Sequence, residues 1–283
     1  MNAQQGLKKK VDELFVKASS GEVMFRDMVE PAKDSIAAMG ADAVPFLVEK
    51  FTTKSARERT TIIEILKKIG SPAVPYLIRS LKNPDYLIVQ RVCAALGDIR
   101  DSSAVEPLMQ VTSHKEWQVR EQALGALGNI ASSGAADPIV FSLEDSIGLV
   151  RKAAVVAAGK TGLSEAIRPL VHMLGDDFYG ARLSAADALL RLDTTLVVEV
   201  LADSMISPNS FVGNLGCYVL GQIGSDDAIE VLMRQTRSED PSRRAHAAVA
   251  IIKADPDDNC GYRGRILENE TDRLTLLKIK SAI

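Results

Sequence analysis

The stretch Ser102–Ile130, SSAVEPLMQVTSHKEWQVREQALGALGNI, is followed at Ser133–Gly162 by SGAADPIVFSLEDSIGLVRKAAVVAAGKTG. The two segments are variants of one pattern. Pro107, Pro138 and Pro169 recur at one constant interval, and Arg120, Arg151 and Arg182 recur at the same interval. Self-similarity at a fixed period of this size marks an array of supersecondary units, each burying its apolar face against its neighbours. A length of 283 residues would otherwise suggest one or two globular domains. Repetition predicts instead a single elongated unit with one continuous core that grows along one axis.

The same pattern extends in both directions. ADAVPFLVEKF at Ala41 and SPAVPYLIRSL at Ser71 begin one period apart, and AVEPL, AADPI, AIRPL, LVVEVL and AIEVL occupy the same slot downstream. Each is predicted to open a first helix, with proline in the first turn, where its missing N–H is tolerated. Polar turns follow: Asn83-Pro84-Asp85, His114-Lys115, Glu144-Asp145, Asp176-Asp177, Ser207-Pro208-Asn209 and Glu239-Asp240-Pro241. Their composition is that of helix stops and N-caps. In the second helix Val119, Ala123, Ala126, Leu127 and Ile130 fall on one amphipathic stripe, matched by the smaller Val150, Ala154, Ala157 and Ala158. Gly97, Gly128, Gly159 and Gly221 share one row, which predicts close packing between helices.

The divergent ends read as caps, which an array needs to close its core against water. Residues 1–40 form an opening pair, Leu7–Ala18 and Met24–Met39, separated by Ser19, Ser20 and Gly21; the repeats run over 41–254, and 255–283 hold a C-terminal cap helix over Thr271–Ile283. The expected class is all-α, with about seven helix pairs plus terminal caps.

The D-x5-R pairs Asp145/Arg151 and Asp176/Arg182, followed by alanine-rich helices, resemble HEAT repeats. The period of 30 to 31 is similar to that of the short PBS-lyase-type HEAT-like class, below the usual HEAT length of about 40 to 47 residues. The resemblance implies a right-handed α-α superhelix with first helices on the convex face and second helices on the concave face. It also implies a ladder of Asp/Arg pairs along the turns. The ladder is interrupted: His114 stands opposite Arg120, Val89 and Gly213 occupy arginine slots, and Ser238 replaces the aspartate six before Arg244.

A formal net charge of -3 provides no global attraction to nucleic acid or anionic membrane. No apolar run approaches the eighteen or so residues that a membrane helix needs, so the chain reads as cytoplasmic. Cys93 and Cys217 stand four periods apart, and Cys260 is isolated; the first two are expected as buried free thiols. His114, His172 and His246 fall in different units, too far apart to share one metal ion. The chain carries no phosphate-binding loop, dinucleotide fingerprint or nucleophile elbow. The expectation is a protein without catalytic activity, metal or cofactor.

The second helices carry aromatic residues on the side opposite the core stripe. Tyr86, Trp117 and Tyr179 share one row, Gln90, Glu121, Lys152 and Asn214 the next, and Asp187 and Tyr218 a third. Rigid aromatics beside mixed charges are the composition of binding hot spots. Tyr86, Trp117, Glu121, Lys152, Tyr179, Asp187, Asn214 and Tyr218 are therefore the candidate partner-binding residues of a scaffold or adaptor that holds a peptide or protein in its concave groove. A structural alternative for Tyr86, Trp117 and Tyr179, each near a helix start, is a staple against the preceding turn. Two other functions remain open. Lys160, Arg191 and Lys253 share a row with Lys152 nearby, a phosphate track for a nucleic-acid backbone interrupted by Asp98 and Asp187. The family resemblance also implies a bilin-lyase-like, tetrapyrrole-handling role.

Overall fold

The computed structural model describes residues 3–207 and 209–283; Pro208, in the middle of one of the polar turns, lies outside the described residues. The described residues form eighteen α-helices with short 3-10 turns and no strand. No helix among them is long and apolar enough to cross a membrane. The chain divides into two compact units, 1–138 and 139–283.

In the N-terminal unit α1 (Ala3–Ala18) and α2 (Val29–Ala37) form the opening pair. The pairs α3 (Val44–Glu49) with α4 (Ala56–Ile69), α5 (Val74–Ser80) with α6 (Tyr86–Ile99), and α7 (Val105–Val111) with α8 (Trp117–Ile130) follow. Helix α9 (Ala136–Phe141) contains the division. The C-terminal unit continues with α10 (Gly148–Thr161), then α11 (Ile167–Met173) with α12 (Tyr179–Leu189), α13 (Thr194–Ser204) with α14 (Ser210–Ile223), and α15 (Asp226–Gln235) with α16 (Pro241–Ala254). Seven pairs thus lie between the ends. The segment expected to hold one closing helix holds two short ones, α17 (Tyr262–Asn269) and α18 (Arg273–Lys280), and a 3-10 turn at Val23–Met28 precedes the second opening helix.

The punctuation of the sequence explains the boundaries. Four second helices begin at N-cap side chains: Ser55 accepts from the Glu58 amide, Asp85 from Leu87, Asn209 from Phe211 and Asp240 from Ser242. Each cap satisfies an amide that the helix itself leaves without a partner. The prolines of the first helices are preceded by 3-10 turns such as Ser71–Ala73, so Pro45 and Pro75 enter at the first α-helical turn. Second helices end in one left-handed residue at a common slot: Arg100, Ala131, Gly162 and Gly224. Glycine adopts this conformation without strain, whereas Ala131 and Arg100 bear a cost.

The expected stripe is the core: Val119, Ala123, Ala126 and Leu127 are buried, as are Val150, Ala154, Ala157 and Ala158. The glycine row lets consecutive second helices touch at the backbone. A Cβ built on Gly97 would lie 2.7 Å from the Ala126 Cα, one on Gly159 would lie 2.9 Å from the Ala188 Cβ, and one on Gly221 would lie 2.8 Å from the Ala250 Cβ. Each contact pairs a glycine with an alanine of the next second helix. Electrostatics hold the opening pair. The Lys33 ammonium, nearly buried, reaches Glu30 and Glu64, both at 2.7 Å, and ties α2 to α4. Lys68 on α4 returns the contact to Asp34 at 2.5 Å.

Gly159→Ala should destabilise the protein by about 1–3 kcal/mol, because the added methyl forces two backbones apart. Ala131→Gly should stabilise it by up to about 1 kcal/mol, the left-handed strain relieved less the extra freedom of glycine in the unfolded chain. Urea midpoints at unchanged slope check both. A neutral Gly159→Ala would contradict the close approach.

Candidate functional site

The arginine slot fixes where the second helices α8, α10, α12 and α16 start. Arg151 donates through Nη1 to the Asp145 carbonyl at 2.8 Å, Arg182 to the Asp176 carbonyl at 2.6 Å, Arg120 to the His114 carbonyl at 2.9 Å and Arg244 to the Ser238 carbonyl at 2.9 Å. In every case the carbonyl is six residues back. The remaining guanidinium nitrogens of Arg151 face forward, to the next repeat: Nε to Asp176 Oδ2 at 2.7 Å and Nη2 to Asp176 Oδ1 at 2.8 Å, with Asp177 also in contact. The ladder therefore runs between repeats. Arg151 pairs with a carboxylate of the following repeat, and its contact within its own repeat is to a carbonyl.

The departures from the pattern are compensated. Where Gly213 replaces the slot arginine, Arg243 from the next second helix enters the space a side chain would fill. Its guanidinium donates to Met205 O at 2.5 Å and Ser207 O at 3.0 Å, and Ser207 is the residue six before Gly213. Arg182 meets no aspartate ahead, because that slot is Ser207; its guanidinium instead lies 4.3 Å from the Phe211 ring centre and 5.4 Å from that of Tyr179, a cation–π arrangement. Arg244 closes the series on Glu270 with a bidentate pair at 2.8 and 3.1 Å, which fixes the closing helices. His114 keeps a capping role, its Nδ1 accepting from the Glu116 amide at 3.0 Å.

With the helix starts fixed, the outward face of the second helices in the C-terminal unit is open. Tyr179 is 63%, Phe211 50% and Tyr218 47% exposed, with Leu183 and Leu149 also exposed. Three shallow hollows lie along it. Lys160, Asp187 and Arg191 line the first with Val156 and Ser184, about 120 Å³. Asn214, Tyr218, His246, Val249 and Lys253 line the second, about 160 Å³. The third, about 360 Å³, shares His246, Val249 and Lys253 with it and adds Lys278. The structure thus brings Asn214 and Tyr218 together, places Asp187 between two cations, and leaves Lys152 exposed beside Gly180. Asn214 is turned partly inward, its Nδ2 3.4 Å from Ser242 Oγ. The aromatic row has Gly148 between Trp117 and Tyr179, and Phe178 of the following repeat covers that glycine.

In the N-terminal unit Tyr86 and Trp117 are the first residues of α6 and α8 and are half-buried, as is Glu121. A larger hollow of this unit, about 750 Å³, lies among α1, α3 and α5, away from the second helices. Pro45, Phe46, Pro75 and Tyr76 line it, with Arg79 5.3 Å from the Tyr76 ring. Phe46 and Tyr76 stand one period apart, a spacing that would have found them had the first helices been scanned like the second. Leu183 stands in the row of Glu121, Lys152 and Asn214, and Leu149 and Phe211 stand one position after the row of Tyr86, Trp117 and Tyr179; none of the three is Tyr or Trp.

The perturbed titratable groups belong to the scaffold. Burial pushes the Cys93 and Cys217 thiols up to about 12, and both are free and buried as expected, while Cys260 is exposed. Burial raises the Asp176 carboxyl, but the hydrogen bonds from Arg151 and the Phe178 amide outweigh it and hold the group below its ordinary value. Arg244 does the same for Glu270. Among the described residues no three His, Cys, Asp or Glu side chains converge as a metal site requires.

The Arg151–Asp176 pair is largely buried, its side chains only 13% and 6% exposed. Arg151→Ala should therefore cost about 3 kcal/mol or more by stranding a buried carboxylate, well above the roughly 0–1 kcal/mol of a surface pair. Because the folded-state value of Asp176 is lowered, its contribution is present above the ordinary carboxylate value near 4 and is lost as pH falls through the folded value. The gap between wild type and Arg151→Ala should thus be widest above about pH 5 and narrow toward about pH 3. Urea titrations across that range test this, and parallel curves would contradict the pairing.

A family profile for HEAT repeats matches the chain three times, over residues 44–113, 77–153 and 105–190, together just over half its length. The crystal structure of YibA from Escherichia coli aligns with a TM-score of 0.53 at 16% identity, covering 89% of this chain and 95% of that one. The complex of CpcE and CpcF of phycocyanin lyase from a Nostoc species aligns at 0.46 and 17%, covering 84% and 92%. A computationally designed armadillo repeat protein for modular peptide recognition aligns at 0.43 and 19%, covering 64% and 98%. No curated protein matches the chain. The likeness to YibA is one of fold, and the overlapping profile matches advance along the repeats already described. The chain belongs to the HEAT-repeat family.

Proposed function

We propose that this chain is a non-catalytic protein-interaction scaffold whose second-helix face holds a peptide segment or the surface of a partner protein. The observation that carries this reading is the set of rings left in water on that face of the C-terminal unit, Tyr179, Phe211 and Tyr218. The core there is built from aliphatic side chains, and these rings are not part of it. Clustered exposed aromatics rimmed by polar groups mark interaction surfaces, and tyrosine beside arginine is a composition of binding hot spots. The titratable groups support the absence of catalysis. Arg151 with Asp176 and Arg244 with Glu270 join successive elements, Asp101, Asp255 and Asp272 accept from amides of the following residues, and the buried thiols are raised, opposite to the lowering that activates a nucleophile. Family membership adds little by itself, since a fold does not set a function.

The double variant Tyr179→Ala/Tyr218→Ala tests the reading. Immobilised wild type should retain a discrete protein from the source cell that the variant loses, at a cost of about 2 kcal/mol for each central ring, while the free protein stays folded and loses no more than the roughly 0.5–1 kcal/mol of the Tyr179–Arg182 contact. Equal retention by both proteins, or a turnover by the purified chain that a point mutation abolishes, would sink the reading.

A further inference from the structure

The charges of the C-terminal unit are segregated. Helices α10, α12, α14 and α16 carry Arg151, Lys152, Lys160, Arg182, Arg243, Arg244 and Lys253 against a single carboxylate, Asp187. Helices α11, α13 and α15 carry Glu199, Asp203, Asp226, Asp227 and Glu230 against Arg168 and Arg234. With Arg151 and Arg244 set aside as partners of Asp176 and Glu270, a chain of net charge -3 still places more cations than carboxylates on the second helices of this unit. Four of the seven second-helix cations are the arginines that hold the repeat starts. Lys152 and Lys253 are exposed, as are Arg191 at the end of α12 and Lys278 on α18. Arg191, Lys253 and Lys278 line the hollows, and the last two share one. Between them lie the exposed Tyr179, Leu183 and Tyr218.

Resting on the scaffold reading, we infer that the partner segment on this face is acidic, with apolar side chains between its carboxylates. Complementary potential is what steers and selects a partner at such a surface. The side chains between the cations decide between an acidic protein segment and a nucleic acid. The rings of Tyr179, Phe211 and Tyr218 would accept a base or an apolar side chain equally, so they do not separate the two; the aliphatic Leu149, Leu183 and Val249 among them suit apolar side chains, and the carboxylate of Asp187 decides. Asp187 lines the same hollow as Lys160 and Arg191, where a continuous phosphate backbone would set negative charge against it. A protein segment carries carboxylates only at intervals and has amide donors to present to Asp187.

The test is a fluorescence-anisotropy titration of the full chain with three labelled probes: a short peptide of Glu and Asp interspersed with Phe and Leu, the same peptide with Lys for its acids, and oligo-dT of matched charge. The acidic peptide should bind, the lysine peptide should not, and added salt should weaken binding. Arg191→Glu/Lys253→Glu should weaken it by about tenfold or more, while Arg191→Lys/Lys253→Arg retains it; these exposed substitutions should leave the melting temperature unchanged, which the same samples verify. Oligo-dT binding as tightly as the acidic peptide, or no binding of either, would overturn the inference. If the charge-reversed variant still captures the same cellular proteins as wild type, this inference fails and the scaffold reading survives. If wild type captures nothing, the scaffold reading itself fails.

Discussion

The structure depends on how closely one second helix approaches the next. Gly97 against Ala126, Gly159 against Ala188 and Gly221 against Ala250 bring backbones to a distance at which a single added Cβ would collide. At that separation the core can be filled by alanine and valine, which explains the small side chains of α10 and α12. The absence of a side chain at these glycines is thus a packing requirement, since each lies inside a helix where glycine weakens the backbone relative to alanine by roughly 0.5–1 kcal/mol.

Close approach sets spacing, and the guanidinium groups set register. Each slot arginine binds a carbonyl of its own turn, and Arg151 and Arg244 also bind the carboxylate of the following element. Arginine suits this task because its planar fork addresses two acceptors in fixed geometry and stays charged when partly buried. The series tolerates change at the level of residues. Arg243 supplies from one repeat ahead what Gly213 lacks, and the Phe211 ring stands in for a missing aspartate in front of Arg182. Since these contacts sit at the starts of the second helices, the outer faces further along are free of structural duty. That leaves the ring of Tyr218 and the charges of Arg191 and Lys253 available to a partner, with the exposed part of the Tyr179 ring at the start of α12 beside them.

Periodicity made much of this legible. The proline and arginine spacings place seven pairs in register, and the glycine row announces the close packing. The caps at Ser55, Asp85, Asn209 and Asp240 follow from residue type alone. What the spacing could not show were contacts across the period. Asp145 precedes Arg151 by six residues and suggests a pair within one turn, yet the carboxylate that Arg151 binds is Asp176, which only the stacking distance brings near. The substitution of Arg243 for the Gly213 slot is invisible for the same reason, because it crosses one whole repeat against the register. The candidate site was read from Tyr and Trp, so Leu183, in the row of Lys152 and Asn214, and Phe211, one position beyond the slot of Tyr179, were passed over. The charge segregation becomes apparent only when first and second helices are compared separately, since the whole chain averages to -3.

If the second-helix face of the C-terminal unit is the working surface, a bound partner segment should protect that face and no other. Hydrogen–deuterium exchange of the full chain, with and without a saturating acidic, apolar peptide, tests it most directly. The account predicts added protection confined to the segments 148–161, 179–191, 210–223 and 241–254, with the first helices between them unchanged. Protection concentrated instead on the first helices, around Phe46 and Tyr76 or along 194–204 and 226–235, would contradict it.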